Sequence, residues 1–323
     1  MTTFMCRKEV VIAGFGEKPF FKRADSSTAL LARLWRIALF GCVMALAGCA
    51  AIGRIGYDNL PTIALWRVDA HLSLSSAQRA QVTQHLEALH AWHRRTQLDA
   101  GIEFLTRIKQ RVASGGVTEA EARQWREQVV EVLRPIPEQA APAIAEVAAT
   151  LEASQLARMQ AEFARDNAKM RREWMPADRA ERIEVRAKRY IERAEFLLGD
   201  LSSAQKQTAR RLAAEAPSSE DQWFAQRLAR QQDLVAILER IRTERPPQAL
   251  ATQWVNEHLN RFTQVREGPE RAGVESSLAA GDAMAVTLLS QATPKQKQHL
   301  LNRLQSWIDL LTSLKPKQTA GLS

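Results

Sequence analysis

Three groups of residues in this 323-residue chain are of types that could do chemistry. The first is Cys49, which closes the stretch Leu46-Ala-Gly-Cys49 at the end of an eleven-residue apolar run, Ile37 to Ala47. Arg33 and Arg36 stand in front of the run. A positive flank, a short apolar core and small closing residues together make a secretory signal. The run falls short of the roughly 20 apolar residues of a bilayer-spanning helix. The second group is His85, His90 and His93, of which the last two share a helical face at i,i+3 spacing. Two imidazoles with no Asp, Glu or Cys at a matching position rarely hold a metal, so these read as polar surface histidines and no metal is expected. The third group is basic and aromatic. Trp92, His93, Arg94 and Arg95 could form a recognition patch for an anionic or aromatic partner through cation–π and bidentate contacts. Packing accounts for the same cluster, with Trp92 or His93 in the core and both arginines reaching outward, and is the preferred reading. Arg171, Arg172 and Trp174, just before Pro176, make a second such patch at an expected helix end. It suits lipid headgroups or an anionic polymer, although a solvated helix terminus is the plainer reading.

The stretch Leu46-Ala-Gly-Cys49 resembles the lipobox of bacterial lipoproteins. The resemblance implies that the Cys49 thiol is joined to diacylglycerol, the peptide before it is cut and the new amino group is acylated. Covalent lipid on Cys49 is then the expected modification, with no further cofactor, and the membrane is a partner through that anchor. Residues 1–48 form the leader. Residues 1–32 are longer and more mixed than an ordinary signal n-region, which fits a start assigned too far upstream, the real one lying near Leu31 or Leu34. Ala50 stands where the resemblance would place Asp for retention at the inner membrane. The expected location is therefore the periplasmic face of the outer membrane.

Removing the leader changes the charge. It holds seven of the 45 Lys/Arg and three of the 36 acidic residues, so the net charge falls from +9 to +5. That modest surplus, interleaved with acids in the manner of solvated helix faces, does not point to a nucleic-acid partner. Cys6 and Cys42 lie in the leader, which leaves only Cys49 and no intramolecular disulfide. Stability must come from apolar burial, and roughly 270 residues suffice for one or two cores.

The remaining chain is rich in Ala, Leu, Gln, Arg and Glu, poor in Gly, and shows no sustained alternation of apolar and polar residues, so it reads as all-α. Leu74-Ser-Ser-Ala-Gln78 and Leu201-Ser-Ser-Ala-Gln205 are the same pentapeptide, and Ala292-Thr-Pro-Lys-Gln296 keeps its logic. Ser75, Ser202 and Thr293 can each cap a helix, with the Gln three residues on reaching back to the cap's own N–H. Thr118-Glu-Ala-Glu121 is a fourth box. After a short helix over 60–68, one long helix or two in series are expected from the first box to Gly115-Gly116, with a phase adjustment near Gly101. Further helices are expected over 118–133, 138–174, 178–198, 202–215, 219–243, 247–265, 274–290 and 294–314. Seven tryptophans after the leader, about one per helix, read as packing anchors. The expected architecture is an elongated antiparallel helical assembly: a tether over 49–58, a first sub-bundle over 59–199, a second over 200–316 and a frayed tail over 317–323.

The Leu-Ser-x-x-Gln boxes resemble the LTxxQ motif of Spy/CpxP-type periplasmic proteins, helical stress chaperones and regulators. This chain departs from them in its lipobox, its length and its three boxes. A broader resemblance rests on Ala64-Leu-Trp-Arg-Val-Asp69, Trp92-His-Arg-Arg95 and the Arg/Glu-rich helix leading into Gly199. These are arranged as in a family of uncharacterised proteobacterial all-helical lipoproteins, which implies a location and a fold class but no activity. No H-E-x-x-H, G-x-S-x-G or phosphate-binding glycine loop occurs, and carboxylates sit in i,i+4 ladders with Arg and Lys, so no catalytic residue is assigned. The first expectation is a non-enzymatic, lipid-anchored binding protein that shields envelope proteins or unfolded clients. The second is a scaffold subunit with one fixed partner, and the third an enzyme acting on cell-wall material.

Overall fold

A computed structural model of the chain describes residues 53–263 and 269–316. Among them there are helices and no strand, as the composition predicts. A helical turn over 53–58 leads into α1 (Leu60–Leu72), followed by α2 (Ser76–Thr96), α3 (Leu98–Ser114), α4 (Glu119–Leu133), α5 (Pro135–Ala148) and α6 (Ala153–Trp174). Then come α7 (Arg179–Leu198), α8 (Ser203–Glu215), α9 (Glu220–Glu244), α10 (Gln248–Thr263), α11 (Pro269–Ser290) and α12 (Pro294–Leu314). The leader, Cys49 and the tail over 317–323 lie outside the described residues. The stretch read as a tether is described from Gly53 and is helical from there to Asp58.

The capping boxes start helices as expected. The hydroxyls of Ser75, Thr118, Ser202 and Thr293 accept the backbone N–H of Gln78, Glu121, Gln205 and Gln296. Each of those side chains in turn accepts the N–H of its cap residue. Two expectations need correction. The long helix over 138–174 is two helices, α5 and α6, separated by residues 149–152. The second begins at a box of the same kind, Leu151-Glu-Ala-Ser-Gln155, in which Gln155 Oε1 accepts the N–H of Glu152 at 2.9 Å. Glu at the cap position, in place of Ser or Thr, hides it in the sequence. The break between α2 and α3 falls at Gln97, and Gly101 is inside α3.

What the boxes do beyond capping is the main structural result. Gln78 and Gln155 are buried and face each other: each amide donates to the other's oxygen, at 3.0 and 2.8 Å. Gln205 and Gln296 form the same reciprocal pair, at 3.0 Å both ways. Each amide also donates to a backbone carbonyl of the opposite box: Gln78 to Thr150, Gln155 to Leu72, Gln205 to Gln291 and Gln296 to Asp200. The residue before each cap (Leu74, Leu151, Leu201 and Ala292) is buried. A turn that would expose backbone groups is thereby satisfied inside the protein.

Two pairs of boxes define two repeats of six helices, α1–α6 and α7–α12. In each, a helix–box–helix unit is followed by a hairpin and a second helix–box–helix unit. The hairpins are exchanged. From the first repeat, α3 packs on α12 and α4 on α11, while from the second, α9 packs on α6 and α10 on α5. One core accordingly gathers Leu72, Val82, Ala145, Leu156 and Met159 with Val235, Ile241 and Val255. The other gathers Leu198, Ala209, Met284, Leu300 and Leu304 with Val112 and Trp125. Both cores therefore draw residues from each side of Gly199, the glycine that ends α7 with φ +78°.

Candidate functional site

The two basic–aromatic clusters of the sequence have different fates. The first closes on its own molecule. His93 Nδ1 is hydrogen-bonded to the Tyr57 hydroxyl at 2.9 Å, and burial, with His90 beside it, pushes the His93 pKa down. A neutral imidazole accepting from Tyr57 fits both observations. Arg94 donates from Nε to the carbonyl of Leu314 at 2.6 Å, pairs with Asp58 at 3.2 Å and lies 5.9 Å from the centre of the Tyr57 ring. Trp92 is half-buried and Arg95 is exposed. The cluster fastens the first helical turn and the end of α12 to α2. His90 packs on the ring of Tyr57 at 4.6 Å, so that it and His93 share that neighbour, whereas His85 turns away to face Glu146 at 3.0 Å.

The second cluster opens into a cleft. Trp174 ends α6, since Pro176 disfavours continued helix, and Asp178 caps α7 by accepting the N–H of Glu181 at 2.9 Å. That short connection brings Trp174 against the start of α9, where Trp223 stacks on it with centroids 6.1 Å apart and planes 15° apart. Arg186, Arg189 and Arg193 are spaced i, i+3, i+7 on α7 and so share one face. All three line a cavity of about 300 Å³ with Trp174, Tyr190 and Trp223.

The arginines are not equivalent. Arg186 is buried and fully used: Nε and Nη2 donate to Glu220 Oε1 at 2.8 and 2.6 Å, and Nη1 donates to the carbonyls of Ala213 and Ala216. Burial alone would raise the Glu220 carboxyl, but its backbone N–H, Arg186 and Ser218 outweigh that and hold it below its usual range. Arg189 stacks over Trp174, its Cζ 4.5 Å from the ring centre. Burial, with Arg193 nearby, lowers its pKa despite Glu220. Neither Arg189 nor Arg193 makes an ion pair among the described residues. The cleft therefore offers an aromatic shelf beside three guanidinium groups and one lining carboxylate, Glu220, which Arg186 already holds, an arrangement suited to a planar or anionic group.

A second opening of about 480 Å³ follows the same pair of helices, α6 and α9, lined by Phe163, Asn167, Arg171, Phe224, Gln231 and Val235. Arg171 lies 4.7 Å over the Phe224 ring, Asn167 donates to Gln231 at 2.6 Å, and Arg227 donates to Asn167 at 2.8 Å. Arg172 is exposed. Of the seven residues singled out by sequence, Arg171 and Trp174 line these openings, whereas Trp92, His93, Arg94 and Arg95 do not. Sequence reasoning missed Trp223, Arg189 and Arg193. The spacing of the α7 arginines was the available signal, but it was absorbed into an Arg/Glu ladder.

Among the described residues, no helix is long and apolar enough to cross a membrane. No curated protein and no solved structure matches the chain. The chain belongs to a family of unknown function, DUF6279, whose model matches residues 70–258, a span that holds three of the four glutamine boxes together with Trp174 and Trp223.

Proposed function

We propose that this chain is a non-enzymatic binding protein of the bacterial periplasm, lipid-anchored through Cys49 to the outer membrane, that holds extended segments of other envelope proteins along the face made by α6 and α9. One observation carries the reading: Trp174 and Trp223 are stacked in an open cleft with Arg189 over one ring and Arg193 alongside, neither arginine being in a direct ion pair among the described residues. Trp, Tyr and Arg dominate the energetics of protein–protein contacts. An acidic or aromatic side chain of a client meets both kinds of partner there at once. The adjoining opening past Phe224 and Asn167 extends the surface along the helices, as an unfolded segment requires. The location rests on the secretory signal and the lipobox resemblance at residues 33–49.

The compactness of the cleft favours a second reading, a scaffold subunit with one fixed partner, because such contacts concentrate in a small hot spot. Aggregation of several chemically unrelated proteins, unfolded without ATP beside stoichiometric amounts of this one, separates the two. Suppression of them all, lost in the Trp174→Ala/Trp223→Ala variant, is the result expected of client shielding. No suppression removes that reading and leaves the fixed partner, to be identified by cross-linking from position 223.

A further inference from the structure

Among the described residues, the outward face of α1 has no partner. Trp66 is 75 % exposed, Ile55 63 %, and Leu60 and Ile63 each 47 %, so four of the most exposed large apolar side chains among the described residues lie within twelve positions. In α1 the residues split cleanly. Leu65, Val68 and Leu72 face the first core, while Leu60, Ile63, Trp66 and Arg67, spaced by three and four, share the opposite side. Elsewhere an exposed aromatic finds cover: Phe196 stacks on Trp307 and lies under Arg303, and Trp223 stacks on Trp174. Trp66 has no such neighbour among the described residues.

We infer that this face docks on the phospholipid surface, so that the protein is held by α1 as well as by its acyl chains. The inference rests on the lipid-anchor reading, and three observations carry it further. First, only residues 50–52 separate Cys49 from Gly53, a reach of at most ~14 Å from Cys49 to the described helix. An acylated Cys49 therefore keeps this end of the molecule at the headgroups. Second, the charge fits. Asp58 is held by Arg94 and Asp69 by Arg79, leaving Arg67 beside Trp66 without a carboxylate partner among the described residues, ready for a lipid phosphate. Third, the exposed face combines Trp66 with the aliphatic Leu60 and Ile63, and Trp is a residue that settles at the headgroup level of a membrane. The acyl chains on Cys49 hold the N-terminal end on the membrane, and a second contact through α1 fixes which side of the molecule faces away from it.

The test uses the protein purified from bacterial membranes and placed in vesicles of phosphatidylethanolamine and phosphatidylglycerol, with and without bromine on the acyl chains. Bromolipid is expected to quench a component of tryptophan emission that Trp66→Phe removes and Trp174→Phe leaves intact. Quenching that is the same in Trp66→Phe and the parent overturns the proposal. So does Trp66 emission that bromolipid leaves unchanged, whether aqueous acrylamide reaches it (an open face) or not (a face covered by protein). The mass of the N-terminal peptide from the same preparation reads the anchor separately. An acylated Cys49 with unquenched Trp66 defeats docking alone, and an unmodified Cys49 defeats the reading on which docking rests. Since Trp66 is three-quarters exposed, its replacement by Phe leaves the fold intact, which helix content by circular dichroism checks.

Discussion

The glutamine pairs make a quantitative prediction. Gln155 is 8 % exposed, and its side chain makes five hydrogen-bond contacts with four residues: it donates to Leu72 O, Ser73 O and Gln78 Oε1, and accepts from Glu152 N and Gln78 Nε2. Gln155→Ala removes a helix cap, worth about 1 kcal/mol, and leaves at least one buried acceptor unpaired, worth about 1–3 kcal/mol. A loss of about 3 kcal/mol is expected, and a similar one for Gln78→Ala. The two losses do not add. Two reciprocal amide bonds at about 1 kcal/mol each are already gone after the first substitution, so the double variant should fall short of the sum by about 2 kcal/mol. Urea unfolding followed by helix content measures all four corners of the cycle. Gln205 and Gln296 should behave in the same way. The crossed pair Gln78/Gln205, in different cores, should be additive. Additivity within about 0.5 kcal/mol for Gln78/Gln155 would refute the claim that the pair acts as one unit.

Two further expectations concern single positions. Arg186→Met leaves the Glu220 carboxylate buried without its guanidinium, the two side chains being 8 % and 14 % exposed, and should cost about 3–5 kcal/mol, with Arg186→Lys recovering part. Because the folded Glu220 pKa is held below its unfolded value of 4.5, the contribution of this pair is fully present above that pH. It is lost as pH falls through the folded pKa, so thermal melts between about pH 3 and 7 should show an acid slope that is smaller in Arg186→Met. Gly115 has φ +76° and ψ 172° with nothing within 4 Å of an added Cβ, so Gly115→Ala should lose about 1–3 kcal/mol from backbone conformation alone. Gly281, inside α11 and equally open but without positive φ, should gain about 0.5–1 kcal/mol on the same change. Shifts of the same sign in the two urea midpoints would contradict this account.

Helix starts were legible wherever a hydroxyl stood three residues before Gln or Glu, because capping is local chemistry. The start at Glu152 was not, since Glu is an unremarkable residue at that place and only the burial of Leu151 and the partner amide of Gln78 mark it. No local signal tells that Gln78 meets Gln155, or that α3 crosses to α12. Those pairings join residues 77 or more positions apart and depend on both cores forming together. The candidate site shows the same division. Arg171 and Trp174 stand out as a basic–aromatic stretch at a helix end, but the cleft exists because Trp223 and Arg189 arrive from other helices. The stretch Trp92 to Arg95 looked equivalent in sequence. It became a fastener because Tyr57, Asp58 and the end of α12 happen to reach it.

The exchanged hairpins set the terms on which the molecule can be cut. A break in the short connection over 175–178 would separate the chain between its repeats, yet each fragment would still carry the hairpin that the other core lacks. The two pieces would be obligate complements, each soluble only in the other's company, and protease nicking there would leave a particle of unchanged size. A truncation at this point is expected to leave each half without the hairpin that completes its core.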